Sequence, residues 1–176
     1  GIRVNLADFG EYGRLTEADV IVNAAGYAQP ARFMADPVAT IQINTSATIA
    51  LLNRLKRNGR FLFVSSSEVY SALKEASLVE TNIGLTTPSH PRAAYIEGKR
   101  CGEAICNAFR TQAVNAVIAR VALAYGPGTR KHDKRALNSF IEEALSQGKI
   151  ELLDAGTAVR TYCYIADTVE LLWRIL

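Results

Sequence analysis

Tyr95 and Lys99 stand four residues apart in SHPRAAYIEGKR, residues 89–100. In a helix that spacing puts both side chains on one face, a turn apart. A phenol ordinarily titrates at about 10 and is a poor base at neutral pH. An ammonium about 4 Å away contributes at most roughly 4 kcal/mol at an effective dielectric of about 20. That equals about three pKa units, with burial working against it. A tyrosine so placed can take a proton from a hydroxyl near neutral pH. Ser66, inside the serine run 65–67, offers a second group to hold the same substrate oxygen. Most tyrosine–lysine pairs at this spacing are ordinary surface pairs, so the pattern depends on the elements that place it.

IRVNLAD, residues 2–8, is β-branched and alternating, and predicts a strand ending on Asp8. DVIVNAAG, residues 19–26, is a continuous apolar run closing on small residues, the pattern of a strand buried on both faces. Residues 37–57 carry apolar positions at helical spacing, open on Pro37 and stop at Asn58-Gly59. RFLFVSSSEVY, residues 60–70, predicts a buried strand that breaks into hydroxyl residues. A loop over 71–92 leads to a helix over 93–111, which carries Tyr95 and Lys99. A strand over 115–123, a turn, a helix over 134–147, strands over 149–153 and 160–165 and a terminal helix complete the chain. This alternation predicts an α/β fold, a Rossmann-like doubly wound parallel sheet with helices on both faces.

A dinucleotide-binding sheet normally opens on a strand, a Gly-rich turn and a helix whose N-terminus holds the pyrophosphate. Gly10-x-x-Gly13 has no clear helix to open and reads as a surface turn, and GPGTRK at 126–131 lacks the ending of a phosphate loop. The sequence also stops inside the helical run TVELLWRIL, so the sheet reads as truncated at both ends.

The totals exclude several classes. Twenty Lys+Arg against 17 Asp+Glu leave +3, too mild to indicate a nucleic-acid partner. No apolar run approaches the roughly 18 residues of a membrane-spanning helix. GIRVNLADFG lacks the basic-then-apolar order of a signal peptide, so a cytoplasmic location is expected. Cys101, Cys106 and Cys163 form no C-x-x-C pair and are odd in number, which fits buried thiols in a reduced compartment. His90 and His132 lack metal-type spacing, so no metal is expected and both read as solvent-facing. The basic run 130–135 reads as a solvated loop, or as a diphosphate contact with Arg135 its best candidate.

Ligands of a parallel α/β sheet bind past the C-terminal ends of its strands. The predicted ends are Asp8-Phe9, Asn23-Ala24-Ala25-Gly26, Ser65-Ser66-Ser67-Glu68 and Leu123-Ala124-Tyr125-Gly126. Small residues at 24–26 admit a ligand close to the backbone, although tight strand–helix packing would use them equally well. Likewise, Ser65–Ser67 taken alone would cap a turn, and Glu68 and Arg160 alone would be surface charges.

Together, NAAG at 23–26, Ser66, Tyr95-x-x-x-Lys99 and Tyr125-Gly126-Pro127 resemble the extended short-chain dehydrogenases/reductases that act on nucleotide sugars. Within that family the stretches Pro37 to Asn44-Thr45, SSSEVY (65–70), PRAAYIEGKRCGE (91–103), Arg135 and RTYCYIAD (160–167) look most like UDP-glucuronate decarboxylases. The resemblance implies NAD as cofactor. It would be held by Asp8 and Phe9 at the adenine, by Ala24, Ala25 and Gly26, and by Asn44, Ser65, Tyr95, Lys99 and Val121. Ser66, Tyr95 and Lys99 would be the catalytic trio, with Glu68 a second acid/base. Tyr27, Ser66, Ser67, Arg92, Arg135 and Arg160 would face the substrate.

The implied reaction is oxidation at C4, loss of carbon dioxide from the resulting β-keto acid, and reduction. The related 4,6-dehydratases place an aspartate where this chain has Ser67, a poor proton donor to a leaving hydroxide, so dehydration is disfavoured. Glu68, which simple 4-epimerases of the family often lack, and Arg92 after Pro91 favour decarboxylation. 4-Epimerisation stays open, as does a non-catalytic protein of the same fold, since fold alone does not establish activity. Leu123 replaces the family's substrate-holding asparagine and Tyr27 a proline common in the decarboxylases, which leaves the sugar open. The implied organisation is a partial NAD-binding domain over 1–126, part of a substrate-binding region over 127–160, and a return strand and helix over 161–176. Without the Gly-rich turn these residues alone are expected to bind NAD weakly and to turn over negligibly. A homodimer through the helices at 37–57 and 93–111 is expected by the same resemblance.

Overall fold

Alternation within RFLFVSS sends Phe61, Phe63 and Ser65 to one face of a strand and Leu62, Val64 and Ser66 to the other. This strand, β2 (Leu55–Ser66), is the centre of a three-stranded parallel sheet between β1 (Ala18–Asn23) and β3 (Asn115–Val121). The structure, a computed structural model, describes all residues except 76, 131, 132, 134 and 153. The chain divides into two compact units: Gly1–Val121 with Leu171–Leu176, and Ala122–Glu170.

In the first unit, helices α1 (Pro30–Ala35), α2 (Pro37–Asn44) and α3 (Ser46–Leu52) lie between β1 and β2 in sequence, and α4 (Ala93–Arg110) lies between β2 and β3. Phe61, Phe63, Leu52 of α3, Cys106 of α4 and Ala116 of β3 form the buried core, with Ile21, Ile105, Phe109 and Ile118 packed against it. Each phenylalanine withdrawn from water stabilises the fold by about 1.5–3 kcal/mol. α4 comes close to this layer because Gly102 has no side chain. A Cβ there would lie 2.3 Å from the Phe63 ring and 2.9 Å from the Asn44 carbonyl oxygen. The second unit holds β4 (Leu123–Tyr125) and β5 (Tyr162–Tyr164), paired in parallel, with α5 (Ala136–Gln147). The last helix, α6, runs Ile165–Ile175.

The parallel α/β expectation holds, but four local readings are corrected. Residues 2–8 form no strand. Asn5 and Asp8 bond their own backbone instead, accepting from Ala7 N at 3.1 Å and Gly10 N at 2.9 Å, which turns the chain into a 3-10 helix over Phe9–Arg14. The single helix over 37–57 is broken at Thr45 (φ −112°, ψ −77°), whose hydroxyl bonds back to the Ile41 carbonyl at 2.8 Å, and it ends at Leu52. Asn58-Gly59 is therefore no helix stop. It lies inside β2 with Asn58 at φ +66°, beside a register shift opposite Ala18/Val20. Residues 149–152 are exposed and unpaired in any strand ladder among the described residues, and the Glu151 amide bonds the Glu143 carboxylate instead. Of the three free cysteines only Cys106 is buried, and Cys101 is exposed.

Candidate active site

α4 begins right after the loop 71–92, and its first turn carries Tyr95, 8% exposed. The Tyr95 ring stacks on Phe33 of α1 with centroids 4.7 Å apart and planes 12° from parallel. One turn on, Lys99 is 5% exposed and its ammonium lies 6.0 Å from the Tyr95 ring centroid. Lys99 Nζ donates to the Val64 carbonyl at 2.8 Å and lies 4.9 Å over the Phe63 ring. Burial lowers its proton affinity to a pKa of about 8, and the Glu103 carboxylate opposes that shift. The two side chains thus face one another, and Lys99 keeps its charge at neutral pH.

The turn after β1 comes close to Lys99. Gly26 has φ +152°, a conformation that favours glycine. A Cβ at Gly26 would lie 3.8 Å from Lys99 Nζ and 3.9 Å from Asn44 Oδ1. Asn44 is buried in α2; its amide nitrogen donates to the Thr40 carbonyl at 2.8 Å, while its Oδ1 is buried without a partner. Asn23 organises the turn before Gly26, accepting from the Ala25 amide at 3.3 Å and donating to Thr48 Oγ1 at 3.0 Å. Ala24 and Ala25 continue that turn. Asp8 and Phe9 are exposed, not at a strand end as expected, and Gln42 of α2 donates to the neighbouring Ala7 carbonyl at 2.7 Å.

The end of β2 supplies the serines. Ser66 pairs in register with Val121 of β3, and its hydroxyl accepts from the Glu68 amide at 3.2 Å. Ser65 is buried and donates its hydroxyl to Glu103 at 2.5 Å, so its side chain is committed to the interior. Ser67 is exposed and opens a 3-10 turn, Ser67–Tyr70, that carries Glu68. Glu68 accepts from Arg92 Nη2 at 2.9 Å through one oxygen and from Ser71 at 3.1 Å through the other. The Arg92 guanidinium lies 5.4 Å over the Phe33 ring, and its Nε is buried without a partner. Phe33 therefore joins Tyr95 to the Arg92–Glu68 pair. Tyr27 is half-buried under the Arg32 guanidinium, 5.6 Å from its ring.

Arg135 and Arg160 belong to the second unit. Arg135 forks onto Asp133, with a shortest contact of 2.6 Å, and that bond holds the Asp133 carboxyl below its usual range. Arg160 is exposed and donates to the Val159 carbonyl at 2.8 Å. Leu123 pairs with Tyr162. His90 is exposed, as expected, and accepts from the Arg92 amide at 3.1 Å, while His132 lies outside the described residues.

Three residues escaped the sequence reading. Phe33 sits on a six-residue helix too short for a periodic signal, although Pro30 at its first turn marks it. Glu103 follows Lys99 by one helical turn, a spacing that could have singled it out. Arg120 lies within a strand, where nothing in the sequence joins it to Glu103.

The model of the family described as NAD dependent epimerase/dehydratase matches residues 2–176. UDP-glucuronic acid decarboxylase 1 of Xenopus tropicalis is 35% identical over 156 residues, covering 88% of this chain and 37% of its own length. The dTDP-glucose 4,6-dehydratase DesIV from Streptomyces venezuelae, with NAD and TYD bound, is 25% identical with a TM-score of 0.74, over 94% of this chain and 51% of that one. An epimerase from Methanothermobacter thermautotrophicus reaches a TM-score of 0.81 over 99% of this chain and 53% of that one; at 19% identity it shows the fold alone. The chain spans between 36% and 48% of the length of the decarboxylases it matches. With the match running along residues 2–176, through the segments that carry Gly26, Ser66, Tyr95 and Lys99, the chain belongs to the NAD dependent epimerase/dehydratase family.

Proposed function

We propose that this chain carries the catalytic part of an NAD-dependent enzyme that modifies a nucleotide sugar through a 4-keto intermediate, and that its outcome is decarboxylation of a UDP-glucuronate-like uronic acid. The observation that carries the reading is the buried Tyr95–Lys99 pair, with the ammonium 6.0 Å from the ring centroid and beside the glycine turn that follows β1. The residues present fit the cofactor. Asn44 Oδ1 is a buried acceptor without a partner, an arrangement that costs about 1–3 kcal/mol unless a donor reaches it. Gly26 leaves open the space next to it that a side chain would fill. In this reading Gly26, Asn44 and Lys99 hold the nicotinamide ribose side, with Ala24, Ala25 and Val121 lining it. Asp8 and Phe9 take the adenosine end, and Ser65 contributes through its backbone.

When bound, NAD would supply the reversible hydride chemistry at C4. Tyr95 removes the C4 hydroxyl proton and gives it back at the end, Lys99 stabilises the phenolate charge, and Ser66 orients the oxygen. The C5–C6 bond then breaks, carbon dioxide leaves, and the electron pair passes into the C4 carbonyl. Glu68 manages the proton returned at C5. Arg92 binds the substrate carboxylate, for which its planar fork is suited. We assign Tyr27 and Ser67 to the sugar, and Arg135 and Arg160, from the region 127–160, to the nucleotide side.

Decarboxylation is favoured by the 35% identity to UDP-glucuronic acid decarboxylases and by Ser67, which cannot serve as the acid that dehydration needs. 4-Epimerisation uses the same trio and is the second reading. We place the enzyme in the cytoplasm; no described helix is long and apolar enough to cross a membrane. A homodimer is supported by exposed apolar side chains on α2 and α3, Val38 at 73%, Ile41 at 45% and Ile49 at 42%. The test is to incubate the full-length protein and NAD with a panel of nucleotide sugars and weigh the products. Loss of carbon dioxide supports the reading. Loss of water indicates dehydration and an unchanged mass with inverted C4 by NMR indicates epimerisation, and either displaces decarboxylation. No conversion of any sugar supports a non-catalytic protein.

A further inference from the structure

One helical turn beyond Lys99, the carboxylate of Glu103 is buried and fully engaged. It accepts from Ser65 Oγ at 2.5 Å and from the fork of Arg120, at 2.9 and 3.2 Å from Nε and 2.7 Å from Nη2. Both side chains are largely withdrawn from water, at 13% exposure for Arg120 and 9% for Glu103. Arg120 has a donor left over, Nη1, and it reaches two backbone carbonyls of the loop 71–92: Glu80 at 2.9 Å and Asn82 at 3.2 Å. Its guanidinium also lies 4.8 Å over the ring of Tyr70, the last residue of the turn that carries Glu68.

A single guanidinium thus touches α4, β3, the turn after β2 and the loop that leads to Arg92. The loop has a matching set of protected amides: Asn82 N bonds Val79 O at 2.9 Å, Gly84 N bonds Val69 O at 2.8 Å and Leu85 N bonds Ser71 O at 2.9 Å. Arg100 of α4 anchors the same point, donating to Val69 O at 2.8 Å. Most side chains of 78–85 are exposed, so the loop owes its place to these backbone bonds more than to packing. Arg120 grips carbonyls, not side chains, and therefore fixes where the loop runs. The five donors of a guanidinium, set in one plane, suit this task, and an ammonium cannot serve the carboxylate edge and two carbonyls together.

We propose that Arg120, braced by Glu103, is a positioning residue of the reaction: it clamps the 79–92 loop to the catalytic helix and so sets the stance of the Glu68–Arg92 pair. The proposal rests on the function given above for the reaction, but the clamp itself can be measured without substrate.

In the full-length protein, Arg120→Met and the conservative Arg120→Lys are compared with wild type by amide hydrogen exchange, NAD titration and steady-state kinetics with the nucleotide sugar that wild type converts. Exchange at Asn82, Gly84 and Leu85 is expected to quicken at least tenfold in both variants. Exchange within α4 and β2 and the Kd for NAD should stay within about twofold. kcat/KM should fall at least tenfold, with Arg120→Lys failing to restore it. Unchanged exchange at those three amides would overturn the clamp. Quickened exchange with kcat/KM intact would overturn the positioning role. Loss of protection throughout α4 in Arg120→Lys would assign the pair to stability alone and overturn the proposal as well. If wild type converts no nucleotide sugar, the proposed function fails and the positioning role with it, while the three amides still show whether the clamp exists.

Discussion

Burial acts on Tyr95 and Lys99 in different ways. The Tyr95 ring is held by stacking on Phe33, a contact that phenylalanine would keep, so Tyr95→Phe removes the proton acceptor and leaves the ring in place. The variant should unfold within about 1 kcal/mol of wild type and lose roughly 10²- to 10⁴-fold in kcat, read by product formation. Lys99 instead carries a cost of burial. Its pKa falls from 10.5 in the unfolded chain to about 8 in the ligand-free fold. Between those values the unfolded chain holds a proton that the folded chain has released, so this group makes stability rise with pH, by about 3 kcal/mol over the window. Cys106, pushed from 9.0 up to about 12 by burial, works in the opposite direction above pH 9. The difference between wild-type and Lys99→Met unfolding curves cancels the Cys106 contribution and should show the Lys99 slope alone. A difference flat from pH 8 to 10.5 would mean that the ammonium is not desolvated. The pairing of Tyr95 with Lys99 was legible from spacing; the stacking partner Phe33 was not, because it arrives from another element.

Among the elements, the placement of α4 decides the site. Gly102 lets that helix sit on Phe63 and on the end of α2, which brings Lys99 over the strand ends and Asn44 beside Gly26. Gly102→Ala would press a methyl against a ring and a carbonyl with nowhere to go. Overpacking of this kind should cost about 1–3 kcal/mol, seen as a lower urea midpoint with an unchanged slope. The buried strand β2 and the extent of α4 were readable, since both carry long, strongly patterned runs. The break at Thr45 was not, because apolar periodicity continues through it while a hydroxyl bonding backwards redirects the chain. Residues 2–8 failed for the converse reason: alternating β-branched residues need a ladder partner, and the side chains of Asn5 and Asp8 turned the backbone first.

For the molecule as a whole, the exposed apolar face on α2 and α3 predicts association. Ile41→Glu, on an exposed position and outside the catalytic set, should convert a dimer to a monomer by light scattering while leaving thermal stability of the isolated chain nearly unchanged. A wild type that is monomeric at high concentration would remove the homodimer from the proposal. The sequence by itself determined the α/β alternation, the family motifs and the helix that carries tyrosine and lysine, because local periodicity and spacing are written along one dimension. Only the tertiary structure decided that Phe33 backs Tyr95, that Ser65 turns inward to Glu103, and that Arg120 holds the loop leading to Arg92. Those contacts join residues separated by 38 to 62 positions. Which partner a buried charge or ring finds at that distance is set by how the layers pack.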